Sequence, residues 1–380
     1  MKKIISWLLA CCLILCATGC KKDTPAATPT ESNVSDITIE PIILDAPFLA
    51  VGLPAINNHV AHQDGTCVFT SNQPYMTLTM DGQATAELII NDFMNRVSNS
   101  MGAAEALKDA AAAAYETNPT NWVPYSVEIN YTPARIDPNV LSLFGIITTY
   151  SGGSHPDYTC VSASYNMISG DPLTLGSILT HESAIPSLRD LLIRQLEAQA
   201  EEKFLRENFQ EDIKQRFAND VSFDEDWYFS ATGLCFYFAP YQIAPYSSGI
   251  IEAVIPYSDL VGIIEDAYFP AESSINNGSA KVLPFTMEAA SGYKQTSELI
   301  LDMDGEKFLV EADSCIQNIR IVQTRTQTGR NDSVVNACYM AYCLNPGNAI
   351  MVQRAPSNEY LYSVQYLQNG NIINIPITQE

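Results

Sequence analysis

Residues 122–168 read WVPYSVEINYTPARIDPNVLSLFGIITTYSGGSHPDYTCVSASYNMI. In the opening run, Val123, Tyr125, Val127, Ile129 and Tyr131 alternate with other residues, the period of a strand with one buried face. Leu141 to Tyr150 is apolar and partly β-branched, and SGGSH at 151–155 supplies a turn. Tyr158 to Ile168 makes a third strand, which Ser169-Gly170-Asp171 turns into PLTLGSIL. Consecutive strands joined by short turns predict an antiparallel meander.

Helices are expected on both sides of this block. Upstream, QATAELIINDFMNRVSNSM places Leu88, Ile89, Phe93 and Val97 at helical spacing. A second, alanine-rich helix is expected over residues 103–116, stopped by Asn118-Pro119. Residues 41–83 read as short strands and turns. Downstream, Leu188, Leu192, Leu196, Phe204, Leu205, Phe209, Ile213 and Phe217 predict one long amphipathic helix over 185–217, laid across a sheet. Strands at Trp227–Ser230, Gly233–Phe238 and Ile250–Ile255 follow, then a short helix from Tyr257.

AESSINNGSAK at 271–281 reads as a linker, and the remainder reads as all-β. Two Gly-containing turns there, Asp304-Gly305 and Asn369-Gly370, each predict a hairpin between flanking strands. The expected class is α+β: an antiparallel sheet with packed helices, followed by a smaller all-β C-terminal domain. The expected segments are 1–19, 20–40, 41–150, 151–270, the 271–281 linker and 282–380.

The first two segments address the protein. Lys2 and Lys3, a short apolar run and Ala17-Thr18-Gly19-Cys20 have the pattern of a secretory signal ending at a lipidated cysteine. The apolar run falls short of the ~20 residues a spanning helix needs. Cys20 is therefore expected to carry a lipid that holds the protein outside the cytoplasm on the bacterial cell membrane. Residues 21–40, rich in Pro, Thr, Ser and Asp, form a stalk.

The formal net charge is −23, which argues against nucleic acid and favours basic partners. The last hundred residues hold 10 acidic and 7 basic residues, so most of the excess acid lies before them. Outside the signal and Cys20 the cysteines are Cys67, Cys160, Cys235, Cys315, Cys338 and Cys343. A disulfide is expected in the last domain, with Cys343 or Cys338 pairing with each other or with Cys315. No cysteine pair has zinc-ligand spacing, and no cofactor or metal is expected.

Two stretches carry more than composition: TTYSGGSHPDYTCVSASYNMISGDPLTLGSIL at 148–179 and GLCFYFAPYQIAPYSSGIIEAVIPYSDL at 233–260. Together they resemble the extracytoplasmic domain of the anti-sigma factor RsiV, a module also found in PdaC-type peptidoglycan deacetylases. The resemblance covers roughly residues 40–265, a two-subdomain unit by size. It implies helices on an antiparallel sheet and an envelope role. Domains of the RsiV type bind lysozyme.

The candidate partner-binding residues follow. His155 and Tyr158 flank a glycine-rich turn that a partner can approach. Tyr241 and Tyr246 sit on a proline-broken loop, where tyrosines supply contact area at low entropic cost. Asp224, Glu225 and Asp226 offer carboxylates to a basic protein. His59, His62, His155 and His181 do not suggest a metal site, and Asp302-x-Asp304-Gly305-Glu306 reads as a hairpin turn rather than a calcium loop. The reading is a non-enzymatic, lipid-anchored binding or sensor protein that recognises a cell-wall-associated protein or glycan. The alternatives are a cell-wall-modifying enzyme and a structural lipoprotein.

Overall fold

A computed structural model describes residues 46–218, 226–270, 278–325, 334–355 and 360–378. The signal, Cys20 and the stalk lie outside the described residues. The N-terminal part contains β1 (Ala50–Gly52), β2 (Ala55–Ala61), β3 (Cys67–Pro74), β4 (Thr77–Thr79) and α1 (Gln83–Thr117). The middle contains β5 (Tyr125–Ile136), β6 (Val140–Tyr150), β7 (Asp157–Asn166), α2 (Leu175–Ile178), α3 (Ile185–Glu197), α4 (Phe209–Ala218), β8 (Trp227–Phe229), β9 (Gly233–Phe238) and β10 (Ile251–Pro256). The C-terminal part contains β11 (Ala280–Pro284), α5 (Met287–Ser291), β12 (Gln295–Ile300), β13 (Glu306–Ala312), β14 (Ile316–Arg325), β15 (Val334–Leu344), β16 (Asn348–Arg354), β17 (Tyr360–Gln368) and β18 (Asn371–Pro376).

The fold is α+β and rich in antiparallel sheet. The meander β5–β6–β7 forms as the alternation dictates, with Val127, Ile129 and Tyr131 buried on one face. It sits in a five-stranded sheet of order β2-β3-β5-β6-β7. The β3–β5 pair is parallel, because α1 carries the chain back across the sheet between them. Where two helices were expected, α1 runs unbroken. A Cβ at Gly102 would meet nothing within 4 Å, and the buried stripe of Ile89, Phe93, Val97, Ala104, Ala111 and Tyr115 continues past it. A glycine costs a helix about 1 kcal/mol; one buried Phe or Ile returns roughly 1.5–3 kcal/mol.

A second, three-stranded sheet has the order β10-β9-β8, and its central strand β9 is buried on both faces. Leu234, Phe236 and Phe238 face α3 and α4, while Cys235 and Tyr237 face Phe144 and Cys160 of the meander. The continuous apolar run of β9 is what a strand between two layers requires. The expected single helix over 185–217 is two helices. Between them Phe204 takes a φ of 52°, and the Arg206 N–H donates 2.9 Å to the Ile243 carbonyl rather than continuing a helix.

The C-terminal strands form two facing sheets, β18-β17-β14-β15-β1-β4 and β11-β13-β16-β12. The first takes two strands from the beginning of the described chain: β1 lies between β15 and β4. Residues 41–380 accordingly cluster as one unit. Asn369-Gly370 makes the expected two-residue hairpin, with φ of 50° and 79°. Asp304-Gly305 does not. β16 inserts between β12 and β13, pairing parallel with the first and antiparallel with the second. Cys315 is bonded to Cys343, and Cys338 is a buried free thiol that burial pushes up to about 12. No helix among the described residues is long and apolar enough to cross a membrane.

Candidate functional site

The β6–β7 connection and the loop after β9 meet. Their rings surround Tyr246: His155 lies 4.0 Å away between ring centroids, Tyr241 5.7 Å and Tyr158 6.0 Å. The Tyr246 hydroxyl donates to the Pro156 carbonyl at 2.8 Å, and the same oxygen lies 3.0 Å from His155 Nδ1. One carbonyl thus ties the two loops together.

Each loop is held from beneath. Gly152 has a φ of 89°, and a Cβ there would meet the Tyr125 ring at 2.9 Å. A side chain would be strained and crowded, so glycine lets the loop sit down on Tyr125. Tyr125 in turn packs edge-on against Tyr150 at 6.5 Å and stacks on Trp122 at 5.2 Å. On the other loop, buried Ile243 and Ala244 act as the anchor. The Tyr241 N–H donates to the Ala244 carbonyl at 3.0 Å, and the Arg206 guanidinium donates to the Tyr241 carbonyl. Tyr241 is held at a φ of 71°, a conformation that costs a tyrosine of order 1–3 kcal/mol. The residue is 57% exposed.

The result is a surface made of rings, with His155 and Tyr241 outermost and Tyr158 and Tyr246 half-buried. The Tyr246 phenol is raised above its ordinary value, first by desolvation and then by Tyr158, Tyr241 and Asp157 around it. The Tyr246 phenol therefore stays a neutral donor at physiological pH. Such a surface can stack, donate hydrogen bonds and exclude water.

The other sequence candidates lie apart. Asp224 and Glu225 fall outside the described residues. Asp226 accepts from Arg216 Nη1 at 3.1 Å, at the end of α4. His59 is exposed on β2. His62 lies 3.3 Å from Asp64 and 4.0 Å from Glu116. His181 Nδ1 lies 2.6 Å from the Ser183 hydroxyl. No group of three or more His, Cys, Asp or Glu among the described residues is placed to hold a metal ion.

The supports of the site were not legible in advance. Arg206 falls within the stretch expected as one long helix, and Tyr125 read as one more alternating strand residue. Arg135 was also missed. It is buried, and its Nε donates to Asp137 at 2.6 Å. Its Nη1 donates to the Tyr257 hydroxyl at 2.8 Å and to the Tyr268 carbonyl at 2.6 Å. The guanidinium lies 5.3 Å from the Phe229 ring centre. This clamp joins β5 to the layer of β8–β10 and the segment after it.

Residues 177–258 match a family described as "Protein of unknown function (DUF3298)". That span includes Tyr241 and Tyr246 and ends after β10. Among solved structures, a DUF3298-family protein from Bacteroides fragilis NCTC 9343 is similar at 20% identity and a TM-score of 0.43, over 58% of this chain and 94% of that one. Another, from Pseudomonas aeruginosa PAO1, is similar at 16% identity and a TM-score of 0.38, over 59% of this chain and 98% of that one. No curated protein matches the chain.

Proposed function

We propose that this protein is a binding protein of the bacterial cell envelope, of the RsiV type, lipid-anchored at Cys20, that docks a basic wall-associated protein on the rings of His155, Tyr158, Tyr241 and Tyr246. The observation that carries the reading is the convergence of two stretches, about eighty residues apart, into one exposed aromatic surface. Tyrosines preset on anchored loops lose little entropy on binding, which is why they recur as anchors in protein interfaces. The net charge of −23 speeds encounter with a cationic partner. A lipid cannot pass a conformational change across a bilayer. The protein therefore either presents its captured ligand to a membrane partner or retains it as a decoy.

The test is calorimetry with lysozyme as the basic probe, at low and moderate salt. Binding is expected at low salt, weakening as salt screens the charges. Tyr241→Ala is expected to weaken it by about tenfold or more, as truncation of an aromatic anchor does. Absence of heat at about 50 μM protein would remove lysozyme from the reading. Salt-insensitive binding of soluble wall glycan fragments would move the ligand from protein to sugar, with the rings stacking on it.

A further inference from the structure

Among the described residues the four sheets end on eight edge strands: β18, β4, β10, β8, β11, β12, β2 and β7. An open edge is a template for another strand, and proteins guard it with charge, proline or shortness. β4 and β8 have three residues each. β7 carries Asp157, β10 Glu252 and Pro256, β11 Lys281 and Pro284, β12 Glu298, and β18 Pro376. β2 has seven residues, Ala55-Ile56-Asn57-Asn58-His59-Val60-Ala61, with no Lys, Arg, Asp, Glu or Pro. In a chain of net charge −23, that is an unguarded edge.

β2 is also regular and open. Among the described strands it pairs only with β3, and at the register shift near Val60 the extra residue, Val68, lies on β3 and not on β2. Residues 56–59 are all exposed, Ile56 to 57%. The sequence is nearly symmetric about Asn58. Laid antiparallel on a second copy, Asn58 meets the partner's Asn58. Asn57 then meets the partner's His59, Ile56 meets the partner's Val60, and Ala55 meets the partner's Ala61. These are a pair of polar side chains able to hydrogen-bond, a β-branched pair and a small pair, each made twice. A two-fold interface demands this self-complementarity, and cross-strand pairs of this kind stabilise sheets.

We propose that two copies of the chain pair edge to edge and antiparallel through β2, about Asn58, joining their five-stranded sheets into one. β7, which carries Tyr158, is the opposite edge of that sheet. Pairing through β2 therefore leaves both aromatic surfaces free, and the dimer is bivalent.

The test uses the chain from residue 21 to 380, which retains the whole Pro41–Glu380 unit. Sedimentation velocity over roughly 1–100 μM, the range of weak specific association, is expected to show monomer giving way to dimer. Added salt should favour the dimer by screening like charge, opposite to its expected effect on a basic ligand. N57K alone and H59E alone are expected to weaken dimerisation about tenfold, ~1.4 kcal/mol. The double variant N57K/H59E should regain it, because each new charge then faces its opposite. Asn58→Cys should oxidise to a disulfide-linked dimer, while Asn369→Cys should not. Monomer at every concentration would overturn the proposal. So would unaltered association in the single variants with an unchanged folded spectrum, or a double variant no better than either single. Loss of ligand binding by Tyr241→Ala leaves all these readouts untouched, so the two proposals fail separately.

Discussion

Two places gather aromatic rings around a polar centre, and burial separates them. At the clamp, Arg135 is 4% exposed and Asp137 4%. The Asp137 carboxylate also accepts the Asn139 and Val140 N–H groups at 2.9 and 3.0 Å. At the surface cluster, Tyr241 is 57% exposed and Tyr246 has one hydroxyl bond to the opposite loop. A ring next to a polar group does not by itself mean recognition. Where water is excluded, every bond holds layers together and losing one leaves a stranded charge. Where rings face water, the contacts left over are available to a partner.

The sharpest way to break this contrast is Arg135→Met. It leaves Asp137 buried without its cation, and loss of about 3–5 kcal/mol is expected. Chemical denaturation should show the midpoint falling by that amount. The cluster, remote from the clamp in its bonding, should still bind its ligand in whatever fraction stays folded. Equal damage to binding per folded molecule would show that the two centres are coupled.

Tyrosine titration separates them next. Burial pushes the Tyr257 phenol up to about 12 from an ordinary 10.0, against the opposing pull of Arg135. Burial also raises Tyr165, Tyr228 and Tyr237. A folded value above the unfolded one favours the neutral form in the folded state. This stabilisation is complete below pH 10 and is lost as pH rises from 10 through 12, at about 1.4 kcal/mol per pH unit for each tyrosine held neutral. Stability measured by denaturant from pH 8 to 12 should be flat and then fall steeply. A flat profile to pH 12 would mean these phenols are not buried as described.

How much of this was legible in sequence follows the same division. The meander, the β9 strand and the Asn369-Gly370 hairpin are local: periodicity and turn chemistry specify them within a dozen residues. His155, Tyr158, Tyr241 and Tyr246 could be named as candidates, because they sit on a glycine-rich turn and a proline-broken loop, but that the two stretches meet was not readable. Pairing choices were not. Asp304-Gly305 has the chemistry of a hairpin turn, yet β16, more than forty residues on, takes the place between its strands. β1 pairs with β15, setting Val51 opposite Met340 from the far end of the chain. Arg206 and Arg135 escaped for the same reason: what an arginine does depends on which carbonyls and rings the tertiary fold brings to it. Asp226 was legible as a carboxylate, but not as one already paired with Arg216.

Tyr246→Phe tests the link between the loops at lower cost. It removes a neutral, partly buried bond to the Pro156 carbonyl and the hydroxyl's interaction with Tyr158, so about 0.5–1.5 kcal/mol is expected. The ring and its stacking remain, so ligand affinity should fall only to the extent that the two loops lose their register. Hydrogen exchange of the 151–158 and 241–249 amides should rise together. A rise confined to one loop would mean that the Pro156 carbonyl is not the tie.

The smallest expected effect on stability is the most informative about function. Tyr241 is held in the left-handed region, which asparagine tolerates far better than tyrosine. Its ring is mostly exposed and its carbonyl, not its side chain, is what Arg206 grips. Tyr241→Asn should therefore keep the loop and change stability by no more than about 0.5 kcal/mol, in either direction. If the ring is there for a partner, affinity should drop about tenfold or more at unchanged stability. If the ring is instead a cap over Tyr246, the order reverses. Stability would fall, the Tyr246 phenol would lose part of its desolvation and titrate closer to the ordinary value, and ligand affinity would follow stability. Only the first outcome is compatible with a residue kept in a strained conformation for what it presents rather than for what it covers.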